Sequence, residues 1–170
     1  HTAAVKTFAD VQEKELVVSS TDAGSGFWNT SVLLRNLRGA KFKIVAGYQS
    51  GPDVLLAIEK GETQGTCGIA FASIAISLPA WLSEKKVNFL IQTSLERSKR
   101  PELAGVPMAL DLAKNDEQRS VMEIMFANGQ MDRPVLTPPD VPAERVAALR
   151  SALKKTMDDP EFKAEVDKMG

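Results

Sequence analysis

Short apolar runs alternate with stripes of helical spacing through the first half of the chain. The runs are bounded by glycine and small polar residues, which is typical of buried strands, whereas apolar positions three or four apart indicate helices. The predicted strands are Leu16–Ser20, Phe42–Ala46, Gly65–Ile69 and Val87–Gln92. Between them we predict helices that begin near Phe27, at Pro52 and at Ala70, the last broken at Pro79. Strands that alternate with helices over short connections predict an α/β fold with a parallel sheet.

After Glu96 the pattern becomes helical and irregular. Asn115 is a candidate helix cap with Gln118 as its reciprocal partner, and this helix would end at Asn128–Gly129. Met131–Leu136 is predicted to be extended, and Thr137–Asp140, with two prolines, a rigid connector.

Two further helices are predicted at the C-terminus, starting at Pro142 and at Pro160, the second capped by Asp159. Each has an apolar stripe that needs a partner surface. The stripes are Val146, Leu149, Leu153 and Met157, then Phe162, Val166 and Met169. We therefore expect an α/β ligand-binding lobe at residues 1–128, followed by a crossover segment and helices at residues 129–170.

Composition removes several classes of function. The 170 residues are 44% hydrophobic and 25% charged, an ordinary globular balance, and 21 basic against 22 acidic residues argue against nucleic-acid binding. His1 and Cys67 are each the only residue of their type, so we expect no histidine-dependent triad, no zinc site and no catalytic residue. No cofactor or metal is predicted. The first residues lack a signal-peptide pattern, so we expect a mature, truncated or cytoplasmic chain.

Three predicted loops follow strands, where open α/β sheets bind ligands. They are Ser19–Gly26, Gly47–Asp53 and Gly65–Ser73. The first precedes a helix, whose N-terminus attracts anions, although an ordinary capped turn explains it equally well. It is no dinucleotide fingerprint, because Asn29 stands where the third glycine belongs. The candidate ligand-binding residues are Ser20, Thr21, Ala23, Gly24, Ser25, Tyr48, Gly68, Ala70, Phe71 and Ser73.

Two other features favour structural roles. Cys67 is most simply a small buried strand residue, because a catalytic thiolate would need the missing histidine partner. The basic clusters Lys85–Lys86 and Arg97–Arg100 lack interleaved aromatic residues, and a solvated face explains them best.

Several segments, in order, resemble the second lobe of the tripartite tricarboxylate transporter substrate-binding proteins, the Bug-type or TctC-like receptors. The resemblance runs from about Phe8 to the end of the chain. Its segments are Phe42–Tyr48, Leu56–Glu62, Gly65–Gly68, Arg133–Pro134, Pro138–Arg150 and Asp159–Phe162, and Thr21–Ser25 is similar to the family's Gly/Ser-rich loop. The departures are Thr63–Gln64, where an acidic residue is frequent, and the absence of the family's N-terminal lobe from this sequence.

The resemblance implies one parallel-sheet lobe of a type II periplasmic binding protein fold. Such a receptor closes on a small carboxylate through backbone and water-mediated contacts and delivers it to the permease subunits of a transporter. It implies a periplasmic location, no nucleic-acid partner and C-terminal helices that lean on the other lobe. Without that lobe we expect the helices to fold back or to form a homodimer. The alternative is the effector-binding domain of a LysR-like transcription regulator, and the sequence upstream of His1 would separate the two.

Overall fold

The computed structural model describes residues 3–131 and 134–169. The chain divides into two compact units, residues 1–130 and residues 131–170. Each unit is described here by itself.

Unit 1 is built around a small parallel sheet. Its three strands are β1 Leu16–Ser19, β2 Phe42–Val45 and β3 Gly65–Thr66, in the order β2-β1-β3. In the register, Leu16 pairs with Phe42 and Val18 pairs with Gly65. The central strand is the most buried, as expected of a parallel strand covered on both faces. The predicted α/β class is confirmed.

Helices connect and flank the strands of unit 1. They are α1 Asp10–Glu13, α2 Gly26–Arg38, α3 Gly51–Glu59, α4 Phe71–Ser77, α5 Pro79–Ser83 and α6 Asp116–Ala127, with 3-10 turns at Pro101–Leu103, Leu110–Leu112 and Asn128–Met131. Gly39 ends α2 in the left-handed conformation (φ 67°), and the predicted break at Pro79 separates α4 from α5.

The prediction of a fourth strand at Val87–Gln92 is wrong. Residues 87–91 have no regular secondary structure, and Gln92 forms an isolated parallel bridge with Met108. The Gln92 backbone N–H donates to the Pro107 carbonyl at 2.8 Å, and its carbonyl accepts from the Ala109 N–H at 2.9 Å. Because β3 is only two residues long, it offers too short a hydrogen-bonding edge to extend the sheet.

The core of unit 1 joins segments far apart in sequence. Val5, Phe8 and Val11 precede the sheet and are buried against it. From the other end of the unit come Ala109 and Leu110, together with Met122 and Phe126 of α6. The short N-terminal helix α1 was not predicted, since four residues are too few to show a period.

The cap of α6 differs from the predicted capping box in one bond. Asn115 Oδ1 accepts from the Gln118 N–H at 2.9 Å, as predicted. Gln118 Oε1, however, accepts from the N–H of Lys114 at 3.1 Å rather than from that of Asn115. The reciprocal bond is therefore displaced by one residue, and the helix start remains satisfied.

Unit 2 contains two helices, α7 Ala143–Asp158 and α8 Pro160–Met169. Asp159 caps α8 as predicted, its Oδ1 accepting from the N–H groups of Glu161 and Phe162 at 2.8 and 3.0 Å. No residue of α7 is buried, and the exposed fraction of Leu149 is 56%. Residues 134–138 have no regular structure.

Some predictions fall on residues that are not described. His1, residues 132–133 of the predicted extended segment, and the side chains of Met131 and Met169 lie outside the described part of the chain. Among the described residues, no helix has both the length and the apolar character that crossing a bilayer requires.

Candidate ligand-binding site

The carboxyl ends of all three strands point to the same edge of the sheet, because the strands are parallel. The segments after β1 and β2 are joined there by backbone hydrogen bonds. The Gly47 N–H donates to the Thr21 carbonyl at 2.7 Å, and the Tyr48 N–H donates to the Ser20 carbonyl at 3.4 Å. Two of the three predicted loops thus form one surface.

Gly68, which follows β3, lies against the start of α2. Its φ is +70°, and a β-carbon at this position would be 2.5 Å from the Gly26 carbonyl oxygen and 3.0 Å from Thr30 Oγ1. Only glycine permits both this backbone conformation and this approach. The contact brings the segment after β3 to the segment after β1 at one edge of the sheet, as the sequence predicts.

Hydroxyl groups organise the start of α2. The Ser25 side chain caps the helix by accepting from the Trp28 N–H at 3.2 Å, and it donates its proton to the Asp22 carbonyl at 2.8 Å. Ser20, fully buried, lies 3.4 Å from Ser25 Oγ. Because Ser25 has only one proton, Ser20 is the donor of that pair. The polar groups that this arrangement leaves for a ligand are backbone amides of the first turn, such as that of Phe27.

The other candidates in the first loop lie on its surface. Ala23 and Gly24 are exposed, and Gly24 has a φ of 96°. The Gly24 carbonyl accepts from Asn29 Nδ2 at 2.9 Å, so Asn29 secures the loop to the helix. Thr21 is half-buried. The loop is therefore held in one conformation by its own polar groups.

The Tyr48 side chain does not join this hydroxyl cluster. Its hydroxyl donates to Glu62 Oε2 at 3.3 Å, beyond the end of α3. Desolvation, followed by the Glu62 charge and hydrogen bond, raises the pKa of Tyr48. Tyr48 lines an open cavity of about 250 Å³ along α3, together with Asp53, Leu56 and Lys60. The structure thus brings the backbone of Tyr48, and not its hydroxyl, to Ser20.

The candidates after β3 lie at the start of α4. Ala70 is the exposed N-cap residue and makes no side-chain cap bond, and the half-buried Ser73 donates its N–H to the Ala70 carbonyl at 3.1 Å. The Phe71 ring lies 5.6 Å from that of Phe89 and has the guanidinium of Arg100 over it at 4.6 Å. An aromatic and cationic contact therefore adjoins the Gly68 segment.

Cys67 lies just before this segment. Burial raises the pKa of its thiol to about 11, against a smaller lowering by a hydrogen bond with Ser31. The thiol is therefore neutral near pH 7 and poorly nucleophilic. In residues 3–131 and 134–169, no group of three His, Cys, Asp or Glu side chains is close enough to hold a metal. The first-turn amides of α2 are neutral groups of the kind that bind anions.

Several residues at or near this edge were missed by the sequence analysis. Thr30 lies one helical turn after Gly26, and that spacing was a usable signal. Arg100 belongs to a cluster that we interpreted as a solvated face. Gln92 was assigned to a strand. Its side-chain hydrogen bonds to the Ser98 N–H and the Val106 carbonyl correspond to no pattern that can be recognised in the sequence.

Comparisons with known proteins give one structural match. No family model and no curated protein matches the chain. The chain is similar in structure to a TctC solute-binding protein from Polaromonas that was solved without ligand, with a TM-score of 0.57 and 17% identity. The match covers 99% of this chain and 53% of that protein, so the chain spans about half of its length. The LysR-like alternative gains no support. The chain thus has the α/β fold of a TctC-type periplasmic binding protein lobe.

Proposed function

We propose that this chain is the ligand-capturing part of an extracytoplasmic solute receptor that binds a small carboxylate for a tripartite tricarboxylate-type transporter. The observation that supports it best is the close approach of Gly68 to Gly26, which joins two polar segments at the carboxyl edge of the sheet. The chain that bears this edge is similar in structure to a TctC solute-binding protein over 99% of its own length.

The chemistry of the edge suits reversible binding of an anion. The thirteen-residue helix α2 begins there, and its first-turn amides and macrodipole favour a carboxylate. Ser25 already caps Trp28, so the loop need not reorganise when a ligand arrives. A preformed set of neutral donors avoids the cost of ordering them at binding, and the ligand can still be released to a transporter.

The remaining features of the proposal follow from the same fold. The receptor would act in the periplasm, hand its ligand to permease subunits and need no cofactor, metal or catalytic residue. The exposed stripe of α7, including Leu149 and Leu153, would pack on the other half of a two-lobed protein.

Titration of the 15N-labelled 170-residue chain tests the proposal. Citrate, succinate and glutamate are added at constant ionic strength, with trimethyl citrate as the uncharged control. We expect citrate or another of the anions to shift the amides of residues 20–27 and 68–71 and to raise the melting temperature, and the ester to do neither. Absence of shifts at these amides with every anion, or equal binding of the ester, would contradict the proposed function.

A further inference from the structure

We propose that the open cavity along α3 is a second binding site, which takes a primary alkylammonium group, carried either by a free amine or by a lysine side chain of a partner protein. None of the residues that line this cavity belongs to the segments 20–27 and 68–71, so the inference goes beyond the proposed function. The cavity of about 250 Å³ is smaller than those that hold drug-sized ligands, and it fits a small molecule or one side chain.

Helix α3 supplies one wall of the cavity. Its lining residues are Asp53, Leu56, Ala57 and Lys60, the last being the C-cap residue. Positions i, i+3, i+4 and i+7 share one face of a helix, so these four side chains lie along the same wall. Leu56 is 43% exposed. Its apolar surface is left in contact with water, and covering it with the hydrocarbon part of a ligand is favourable.

Tyr48 and Glu62 line the cavity from outside the helix. The Tyr48 hydroxyl donates to Glu62 Oε2 at 3.3 Å, which keeps the carboxylate beside the aromatic side chain. The Glu62 N–H donates to the Ala57 carbonyl at 2.9 Å, so the backbone of Glu62 is also attached to α3. A carboxylate and an aromatic ring both attract an ammonium group, the first by its charge and the second by its quadrupole.

The charge of the lining residues favours a cation. Asp53 and Glu62 are acidic, and Lys60 is the single basic residue among those that line the cavity. Tyr48 adds no charge near pH 7, because desolvation, followed by the Glu62 charge and hydrogen bond, raises its pKa above the ordinary value of 10.0. The balance is therefore one negative charge, and Lys60 opposes the proposed ligand. Removal of Lys60 should strengthen the binding of an amine, whereas it would weaken the binding of an anion.

Titration of the 15N-labelled 170-residue chain with n-butylammonium chloride at pH 7 and constant ionic strength tests the site. We expect n-butylammonium to shift the amides of residues 53–62, and n-butanol and sodium chloride to leave them unchanged. Nα-acetyl-lysine methylamide represents a lysine side chain of a partner. If it shifts the same amides, a partner lysine fits the site. If n-butylammonium alone shifts them, the site takes a free amine.

Three charge variants make the test specific. Glu62→Gln should weaken n-butylammonium binding about three- to fivefold, and Lys60→Gln should strengthen it by a similar factor. Glu59→Gln is the matched control, because Glu59 is exposed on α3 but does not line the cavity. It should change the affinity by less than about twofold, since salt screens a more distant charge. Circular dichroism and the melting temperature confirm that each variant is folded.

Three results would overturn the inference. If n-butylammonium shifts no amide of residues 53–62, or if n-butanol shifts them equally, the cavity is not a cation site. If Lys60→Gln weakens the binding of n-butylammonium, the charge argument is wrong. If Glu59→Gln has the same effect as Glu62→Gln, the cation responds to the general charge of the surface and not to this cavity. The carboxylate titration read at residues 20–27 and 68–71 is independent of all three results.

Discussion

A β-carbon on Gly68 would lie 2.5 Å from the carbonyl oxygen of Gly26, a separation that real β-carbons essentially never show. The obstacle is backbone, which cannot swing away as a side chain would. The joint between the segment after β3 and the start of α2 therefore depends on glycine at position 68.

Gly68→Ala should accordingly destabilise the chain by about 3 kcal/mol or more, because left-handed strain adds to the clash. Gly39→Ala is the matched control, since Gly39 has a similar φ of +67° and no atom within 4 Å of its β-carbon position. The control should cost about 1 kcal/mol. Urea unfolding measures both variants, and equal losses would show that the approach to Gly26 contributes nothing.

Ser25 is predicted to act as a helix cap rather than as a ligand donor. Ser25→Ala should lower the free energy of unfolding by about 1 kcal/mol, because the Trp28 N–H loses its acceptor. Ser25→Asp keeps an acceptor and should preserve stability, but its charge should weaken carboxylate binding at the α2 N-terminus. Chemical denaturation and citrate titration separate the two effects. Unchanged citrate binding in Ser25→Asp would exclude the first turn of α2 as the anion site.

The Gln92 side chain is predicted to hold the loop from Ser98 to Val106. Gln92→Leu leaves the Ser98 N–H without its acceptor and removes one donor from the Val106 carbonyl, and it should cost about 2–4 kcal/mol. Gln64→Leu is the matched control, because Gln64 is exposed and accepts only from the Val17 N–H at 3.0 Å among its recorded side-chain bonds. The control should cost less than about 1 kcal/mol. Similar losses in the free energy of unfolding of the two variants would show that the buried hydrogen bonds of Gln92 stabilise the chain no more than the exposed bond of Gln64.

Cys67 should be unreactive in the folded chain. Its folded pKa of about 11 lies above the ordinary value of 9.0, so folding favours the neutral thiol. That stabilisation is complete below pH 9 and is lost as the pH rises from about 9 to about 11. We expect slow reaction with Ellman's reagent at pH 8 and fast reaction in urea.

Unfolding measured from pH 8 to pH 11 provides the second check on Cys67. Cys67→Ser should lose less stability than the wild type over this interval. The comparison with Cys67→Ser is needed because the pKa of Tyr48 is also raised. Ionisation of Tyr48 therefore also lowers the free energy of unfolding as the pH rises. Parallel pH profiles for the wild type and Cys67→Ser would contradict the burial of the thiol.

The exposed stripe of unit 2 predicts association of the isolated chain. Leu153 and Met157 of α7 are 42% and 50% exposed, and Phe162 and Val166 of α8 are 36% and 42% exposed. Soluble monomers rarely leave such apolar surface in water, so we expect a homodimer by light scattering. The double variant Leu149→Ser with Leu153→Ser should shift the monomer–dimer equilibrium toward the monomer. If the chain is strictly monomeric and α7 and α8 are protected from hydrogen exchange, the homodimer is excluded. The apolar stripes of the two helices must then pack against the same chain.

Local chemistry in the sequence was enough to predict most elements of the fold. Pro52 lies in the first turn of α3, as predicted, and Pro79 separates α4 from α5. Asp159 caps α8. Each of these signals acts within four residues, so it needs no knowledge of the fold. The parallel sheet, and hence a common edge for the loops, followed from the alternation of these elements.

The tertiary structure decided which side chains meet at that edge. Tertiary packing around the sheet of order β2-β1-β3 places Gly68 against Gly26, the Tyr48 hydroxyl against Glu62 and Arg100 over Phe71. It also leaves residues 87–91 outside the sheet, although their composition favours a strand. These contacts join residues that are 14 to 42 positions apart. They depend on how the strands pair and the core packs, and a local pattern of residues contains no information about either.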